Sequence, residues 1–210
     1  MTPRFSKIVD PIFEYVLGLF DRIESGEDPA PESEWEVMRG KVSSLPPGPE
    51  GDLAKYAIAA WIDEALILDA PWTSREWWAN KTLEWEFFRV GQDRAKVFYE
   101  KAKLASDLPQ KDVLEVFYLC VVLGFLGRYR NPARVDPTAE RDGLPASLDG
   151  WLSRTEANIR QGSDRPPMPP GKPTLGAPPL PGPDALIWSV FLGLGLSVVF
   201  AVVGYLFFVK

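Results

Sequence analysis

Apolar residues recur at helical spacing along most of the chain. In the first such segment Ile8, Ile12, Val16, Leu19 and Ile23 fall three or four residues apart, which places them on one face of a helix. No segment sustains the alternation of apolar and polar residues that is typical of a half-buried strand. The pattern predicts an all-α domain of about seven helices over residues 1–162. The predicted helices cover residues 8–23, 35–45, 53–68, 73–88, 92–106, 109–127 and 147–161.

Two sequence signals refine the helix starts. Thr73 and Glu76 have the spacing of a capping box, which predicts that the fourth helix opens at Thr73. Pro109 suits the first turn of the sixth helix, where its missing N–H costs nothing. The fourth helix carries three tryptophans, and we expect Trp85, with one of Trp77 and Trp78, to pack in the core.

The sixth helix contains an uncharged run, residues 116–127, with the sequence VFYLCVVLGFLG. It is too short to cross a bilayer, which takes about 20 residues. Charged residues bracket it on both sides, among them Glu115 and Arg128. The run is therefore expected to be the central helix of the domain, apolar all round because it is surrounded. Cys120 on this helix is expected to be a small buried apolar residue.

A second uncharged run, residues 185–209, is long enough to span a membrane. As a helix its 25 residues would extend roughly 37 Å, against about 30 Å of bilayer core. Trp188 and Tyr205 lie near its ends, where interfacial aromatic residues belong. Residues 184–210 are thus predicted to be a C-terminal transmembrane anchor. The N-terminal segment lacks the apolar core of a signal peptide, so the helical domain is expected to stay in the cytoplasm.

Small residues recur every four positions within the predicted anchor. Ser189, Gly193, Ser197 and Ala201 would form one strip on a helix, and such a strip lets another helix approach closely. The strip indicates pairing with a second copy or with a partner span. The alternative is that small residues are simply common in such helices.

A proline-rich linker joins the helical domain to the predicted anchor. Between residues 165 and 183, nine of 19 residues are proline, which excludes a regular helix or strand. We expect residues 163–183 to be a semi-rigid spacer in the polyproline II conformation. A PxxP docking site is the alternative.

Composition narrows the possible functions. The chain has 23 Lys and Arg against 29 Asp and Glu, a net charge of −6, which argues against a nucleic-acid binder. It has one cysteine and no histidine, so the usual zinc ligands and the commonest general base are missing. We expect no catalytic residue, no metal and no cofactor.

Several segments together resemble one protein family. WIDEALILDAPWTSREWW (61–78), LEWEFFRVGQDRAKVFYEKAK (83–103) and VFYLCVVLGFLGRYR (116–130) resemble the DotU/TssL family in content, order and spacing. The likeness covers the helical domain, and the predicted C-terminal anchor extends it.

The resemblance implies a structural subunit of a bacterial type VI secretion system, held in the inner membrane by a single span. It implies a hook-shaped domain of two packed helical bundles. The implied partners are an IcmF/TssM-type inner-membrane protein, the cytoplasmic baseplate and further copies of the chain itself. Because the chain ends at Lys210 without an OmpA-like domain, we expect no direct peptidoglycan binding. A stabilising subunit of a type IVB system is the alternative within the same resemblance.

The resemblance also places the neighbouring Asp63 and Glu64 near a cleft of the domain. Adjacent residues on a helix point about 100° apart, so this pair is poorly arranged for two-carboxylate catalysis. We hypothesise that one of them pairs with Arg128 or Arg130 and ties the third helix to the sixth. The alternative is that both are solvated helix charges.

Four residues, Trp72, Arg128, Tyr129 and Arg130, complete the predicted interaction set. Arg128, Tyr129 and Arg130 leave the end of the sixth helix, where cations suit the helix dipole, or they bind a partner. Trp72 precedes the fourth helix and either packs in the core or anchors an interface. A membrane-tethered enzyme that uses carboxylates is the remaining alternative from another class.

Overall fold

The computed structural model describes residues 1–89, 94–131 and 143–161, and every regular element in these ranges is helical. The predicted all-α class is confirmed, whereas the hook shape and the division into two bundles stay predictions. The helices are α1 (Pro3–Glu24), α2 (Pro31–Ser43), α3 (Pro49–Glu64), α4 (Arg75–Ala79), α5 (Leu83–Phe88), α6 (Arg94–Ser106), α7 (Asp112–Val122) and α8 (Leu148–Gln161). A π-helical turn, Ala65–Asp69, continues α3, and a 3₁₀ turn, Gly127–Tyr129, follows α7.

Helix α3 is the most enclosed helix of the described fold. All nine residues from position 56 to position 64 are buried, including two carboxylates at the C-terminal end. It packs against α5, α6 and α7, and most extensively against α7. Its first turn approaches the preceding loop so closely that a Cβ added to Gly51 would lie 1.7 Å from the carbonyl oxygen of Pro46.

The expected central role of the sixth predicted helix is therefore wrong. Helix α7 begins at Asp112, three residues after Pro109, and ends at Val122, where the side chain is 55% exposed. Gly124 stops it early because its φ of 108° suits glycine. The Phe125 amide then donates to the Cys120 carbonyl at 2.9 Å, and the Gly124 amide donates to the Val121 carbonyl at 3.1 Å. This pair of bonds is a Schellman motif, which ends helices in this way.

The predicted fourth helix is divided into two short ones, α4 and α5. Thr73 does not cap α4, which begins after Ser74 and has no side-chain cap; the Thr73 hydroxyl instead donates to Asp28 at 2.7 Å. Thr82 is the capping threonine instead, and its hydroxyl accepts the Trp85 amide at the start of α5. The core role expected for Trp85 is wrong, since its side chain is 52% exposed. Of Trp77 and Trp78, one of which was expected in the core, Trp78 is buried.

Among the described residues, no helix combines the length and the apolar character that a membrane crossing requires. The predicted anchor at 184–210 and the linker at 163–183 lie outside those residues.

A buried carboxylate joins α1 to α2. Glu34 on α2 accepts the Tyr15 hydroxyl at 2.7 Å and the Arg22 guanidinium at 2.9 Å. Burial, followed by the hydrogen bond to Glu34, raises the pKa of Tyr15 to about 12. The contact between these two helices thus depends on a protonated tyrosine.

Two glycine substitutions test the packing of α3. We expect Gly51→Ala to lower the free energy of unfolding by about 1–3 kcal/mol, because the new Cβ forces the loop at Pro46 away. Gly40→Ala is the matched control, since a Cβ there meets nothing within 4 Å. Gly40→Ala should raise the free energy of unfolding by about 0.4–1 kcal/mol, because alanine loses less conformational entropy than glycine on folding into a helix. Urea unfolding followed by circular dichroism measures both, and equal stability of the two variants would contradict the close approach.

The tyrosine predicts a specific loss of stability at alkaline pH. Since the folded pKa of Tyr15 is above its ordinary value of 10.0, the folded state holds the proton more tightly than the unfolded state. Its contribution to stability is complete below pH 10 and disappears as the pH rises towards 12. Between these values the wild type should lose free energy of unfolding faster than Tyr15→Phe. Parallel slopes would show that the Tyr15 proton is not linked to folding.

Candidate functional site

Asp63, at the end of α3, holds the start of α5. Its side chain has no solvent exposure. One carboxylate oxygen accepts the Trp78 indole N–H at 2.8 Å and the Leu83 amide at 3.0 Å, and the other accepts the Glu84 amide at 2.8 Å. The first two amides of a helix have no partner within it and carry its positive dipole end, so a carboxylate satisfies both. Asp63 therefore fixes where α5 begins.

Glu64 does the same for the segment that follows α7. Its side chain is 4% exposed. Its Oε1 accepts the Leu126 amide at 2.8 Å and the Gly127 amide at 3.0 Å, at the start of the 3₁₀ turn. The same oxygen accepts Arg130 at 2.8 Å. The two neighbouring carboxylates thus face different segments, which does not bring them together as a catalytic pair.

Arg130 joins Glu64 to a third carboxylate, Asp69. Both oxygens of Asp69 accept guanidinium N–H groups at 2.8 Å, an arrangement typical of strong arginine–carboxylate pairs. Hydrogen bonds from Arg130, first to Asp69 and then to Glu64, raise the pKa of the guanidinium above its ordinary value. One of the pairings that the sequence suggested, Glu64 with Arg130, is therefore present.

The π turn brings Asp69 into this cluster. Five residues along an ordinary α-helix rotate a side chain by about 140°, which would direct Asp69 away from Glu64. In the π turn the Ala70 amide donates to the Ala65 carbonyl at 2.8 Å, five residues back. Residues five apart then share a side, so Glu64 and Asp69 both reach Arg130.

Residues 123–130 are also held by aromatic side chains from other helices. The Trp61 indole donates to the Leu123 carbonyl at 3.2 Å, and the Tyr99 hydroxyl donates to the Leu126 carbonyl at 3.0 Å. Tyr129 packs edge-to-face on Tyr99 and donates to the Pro145 carbonyl at 2.7 Å. Burial raises the pKa of Tyr99 and of Tyr129, so both stay protonated donors at neutral pH. Two helices, α3 and α6, thus bind the backbone of this segment.

An apolar pocket of about 230 Å³ lies beside the cluster of Glu64, Arg130 and Asp69. Three segments line it: the end of α1, the π turn with the two residues after it, and the residues that follow α7. The lining residues are Phe20, Glu24, Ala65, Asp69, Ala70, Pro71, Leu123, Gly124 and Leu126. Ligand sites usually exceed about 300 Å³, so this pocket suits one or two side chains of a protein partner.

The structure brings together most of the predicted interaction residues but not all. Asp63, Glu64 and Arg130 lie around one end of α3, and Tyr129 lies in the same segment as Arg130. Arg128 lies close enough to Tyr99 and Tyr129 to lower their pKa slightly against the effect of burial. Trp72 is buried and packs at 5.9 Å from Trp78, so its role in partner contact stays a prediction. Ser189, Gly193, Ser197 and Ala201 lie outside the described residues.

Sequence reasoning missed three contributors to the site: Asp69, Trp61 and Tyr99. Asp69 was hidden because its position depends on the π turn. The indole of Trp61 and the hydroxyl of Tyr99 bind backbone carbonyls, and such bonds leave no partner residue type to recognise in a sequence.

The described helices, joined through capped backbone beside an apolar pocket, define an all-α module. The family model for the type VI secretion system protein DotU matches residues 47–208, more than half of the chain. The chain therefore belongs to the DotU family, as its sequence motifs indicated. No curated protein and no solved structure matched it.

Membership of the family settles the coarse function. The chain is a subunit of a type VI or related type IVB secretion system, in a family of membrane-associated structural components. In type VI systems DotU works within a membrane complex. The family is not a known enzyme family.

A double-mutant cycle tests the contact between Glu64 and Arg130. We expect Glu64→Gln and Arg130→Gln to be coupled by about 1–3 kcal/mol in the free energy of unfolding, because Glu64 is buried, Arg130 is partly buried, and both belong to one network. The exposed pair Glu156 and Arg160 on α8 is the control, and its coupling should be about 0.3–0.5 kcal/mol. Equal couplings in the two cycles would mean that the buried pair has no special role.

Proposed function

We propose that the chain is a tail-anchored structural subunit of a type VI secretion membrane complex. Its helical domain lies in the cytoplasm and links an IcmF/TssM-type inner-membrane protein to the baseplate. Residues 184–210 hold it in the bacterial inner membrane, and residues 163–183 act as the spacer. The strip of Ser189, Gly193, Ser197 and Ala201 pairs the anchor with a second copy or with the partner's span.

The observation that carries this proposal is the apolar pocket beside a fixed segment. Its walls come from three parts of the fold, and one wall, residues 123–126, is held through Glu64, Trp61 and Tyr99. A preorganised pocket lowers the ordering cost of binding a partner, which supports a role in assembly. The Glu24 carboxylate borders the pocket, whereas Asp69 is already paired with Arg130, so a partner residue that combines an apolar side chain with a cation near Glu24 fits it.

Type VI function is preferred to the type IVB alternative because the matching family model carries the type VI description. Neighbouring genes provide an independent test. Tube, sheath and baseplate genes beside this one support the type VI reading, and genes for a type IVB apparatus support the alternative.

Filling the pocket tests the proposal directly. Ala70→Leu places a larger side chain in the pocket, and we expect at least about tenfold less of a partner protein to co-purify with the full-length chain from native membranes. Such a loss corresponds to about 1.4 kcal/mol of binding free energy. Secretion by the system should fall with it. The control is Ala79→Leu, which makes the same change at an exposed position on α4.

The amount of each variant in the membrane fraction must equal that of the wild type, so that a folding defect is not read as lost binding. If Ala70→Leu recovers both the membrane partner and baseplate proteins at wild-type levels, the pocket is not the docking site.

A further inference from the structure

Helix α1 carries a row of exposed residues that leads to the apolar pocket. Glu14, Leu17, Asp21 and Glu24 are all exposed and fall three or four residues apart, so they share one side of the helix. The row extends about 15 Å along the helix axis. Its last member, Glu24, also lines the pocket. We call these four residues the acidic edge.

The carboxylates of the acidic edge have no cation in contact with them. Among the residues that the structure describes, no lysine or arginine nitrogen lies within 4.0 Å of Glu14, Asp21 or Glu24. Arg22 follows Asp21 in the sequence, but its guanidinium is paired with Glu34 of α2 at 2.9 Å. The negative charge beside the pocket is therefore open to a cation from another molecule.

Two of these carboxylates lie where they lower the stability of the helix. Asp21 and Glu24 are in the last turn of α1. The C-terminal end of a helix is the negative end of its dipole, which disfavours anions. The two residues are also three positions apart, so their charges repel each other on the helix surface. Charges that oppose folding at the edge of a pocket indicate a role in binding, because functional sites often carry residues that lower stability.

The wall of the pocket that the π turn forms does not supply a balancing charge. The Arg130 guanidinium is close to this wall, but it is already bonded to Asp69 and to Glu64. Two carboxylates and one guanidinium leave this group with a net charge of −1. The pocket is thus an apolar depression with negative charge on two of its sides.

We propose that the pocket takes an apolar side chain from a basic segment of a protein partner, whose lysine or arginine residues pair with the acidic edge. The proposal rests on the proposed docking role of the pocket and adds the chemistry of its occupant. Opposite charges across an interface speed the encounter and fix the register of the two surfaces. Leu17 is 38% exposed and offers an apolar contact between the carboxylates.

The sign of the charge also excludes other occupants. Anionic lipid headgroups and the phosphates of nucleic acids are bound by lysine and arginine, and carboxylates repel them. A second copy of the chain would bring a net charge of −6 to the same surface. A basic segment of a different protein is therefore the occupant that complements the acidic edge.

Cross-linking from the acidic edge tests the chemistry of the occupant. In the full-length chain Leu17 is replaced by the photoreactive p-benzoylphenylalanine, native membranes are irradiated, and the cross-linked peptide is sequenced by mass spectrometry. We expect a peptide of another protein in which lysine and arginine outnumber aspartate and glutamate. A neutral or acidic peptide, a peptide from a second copy of this chain, or the absence of any cross-link would overturn the proposal.

A double variant separates the effect of charge from the effect of folding. We expect the variant that combines Asp21→Asn with Glu24→Gln to recover about fivefold less of the cross-linked partner from native membranes, because two ion pairs at the interface are lost. Its Tm in detergent should rise, because two anions are removed from the negative end of α1. A higher Tm together with less partner excludes unfolding as the cause of the loss.

The matched control removes the same charge at two other helix ends. Glu32 and Glu76 are in the first turns of α2 and α4, where carboxylates suit the helix dipole. The variant that combines Glu32→Gln with Glu76→Gln should have a lower Tm and recover the partner at the wild-type level. Equal loss of the partner in both double variants would show that only the total charge of the chain matters, which contradicts a specific acidic edge.

Comparison with Ala70→Leu separates this inference from the proposed function. If Ala70→Leu reduces recovery of the partner and the Asp21 and Glu24 double variant does not, the pocket is the docking site but its occupant is not basic, so this inference alone is wrong. If only the double variant reduces recovery, the partner binds the acidic edge without entering the pocket, which also contradicts the inference. If neither variant changes recovery, the docking role and the inference are both wrong.

Discussion

The described fold depends on two adjacent carboxylates at the end of its most enclosed helix. Burying a charge is expensive unless hydrogen bonds replace the lost water. Asp63 and Glu64 meet this requirement with backbone amides, which also need partners wherever a helix begins. The same hydrogen bonds therefore offset the desolvation of each carboxylate and satisfy backbone amides that would otherwise lack a partner at a helix start. Because the two residues point in different directions, one fixes α5 and the other fixes the 3₁₀ turn at Gly127.

This arrangement explains which elements could be predicted from sequence. Helices α1, α2 and α8 follow from apolar spacing, because each buries one face and exposes the other. The break between α4 and α5 could not be foreseen, since the start of α5 is set by Asp63, about twenty positions earlier in the chain. Thr73 had the correct capping spacing, yet its hydroxyl binds Asp28, a tertiary contact that overrides the local pattern. Trp85 was expected in the core because one helix over residues 73–88 would place it on the apolar stripe with Trp78, whereas the separate helix α5 buries Leu83 and Glu84.

In the candidate site, too, some contacts could be predicted from the sequence and others could not. The presence of a contact between Glu64 and an arginine was predictable from charge and resemblance. The third member, Asp69, was not, because only a π turn places it on the same side as Glu64. The family membership and the pocket together indicate an assembly role, and neither the spacing of the two carboxylates nor their bonding favours chemistry. They accept hydrogen bonds from backbone amides and from the side chains of Trp78 and Arg130.

The hydrogen bonds that Glu64 accepts leave one position of this fold free to vary in sequence. They reach residues 126 and 127 through peptide N–H groups, which every residue except proline possesses. Leu126 lines the pocket, and the hydrogen bonds that hold it do not involve its side chain. A mutation at position 126 can therefore alter the chemistry offered to a partner while the backbone at that position keeps its place. At this residue the side chain can affect partner binding while the backbone supports the fold. Related proteins can therefore change the side chain and keep the structure.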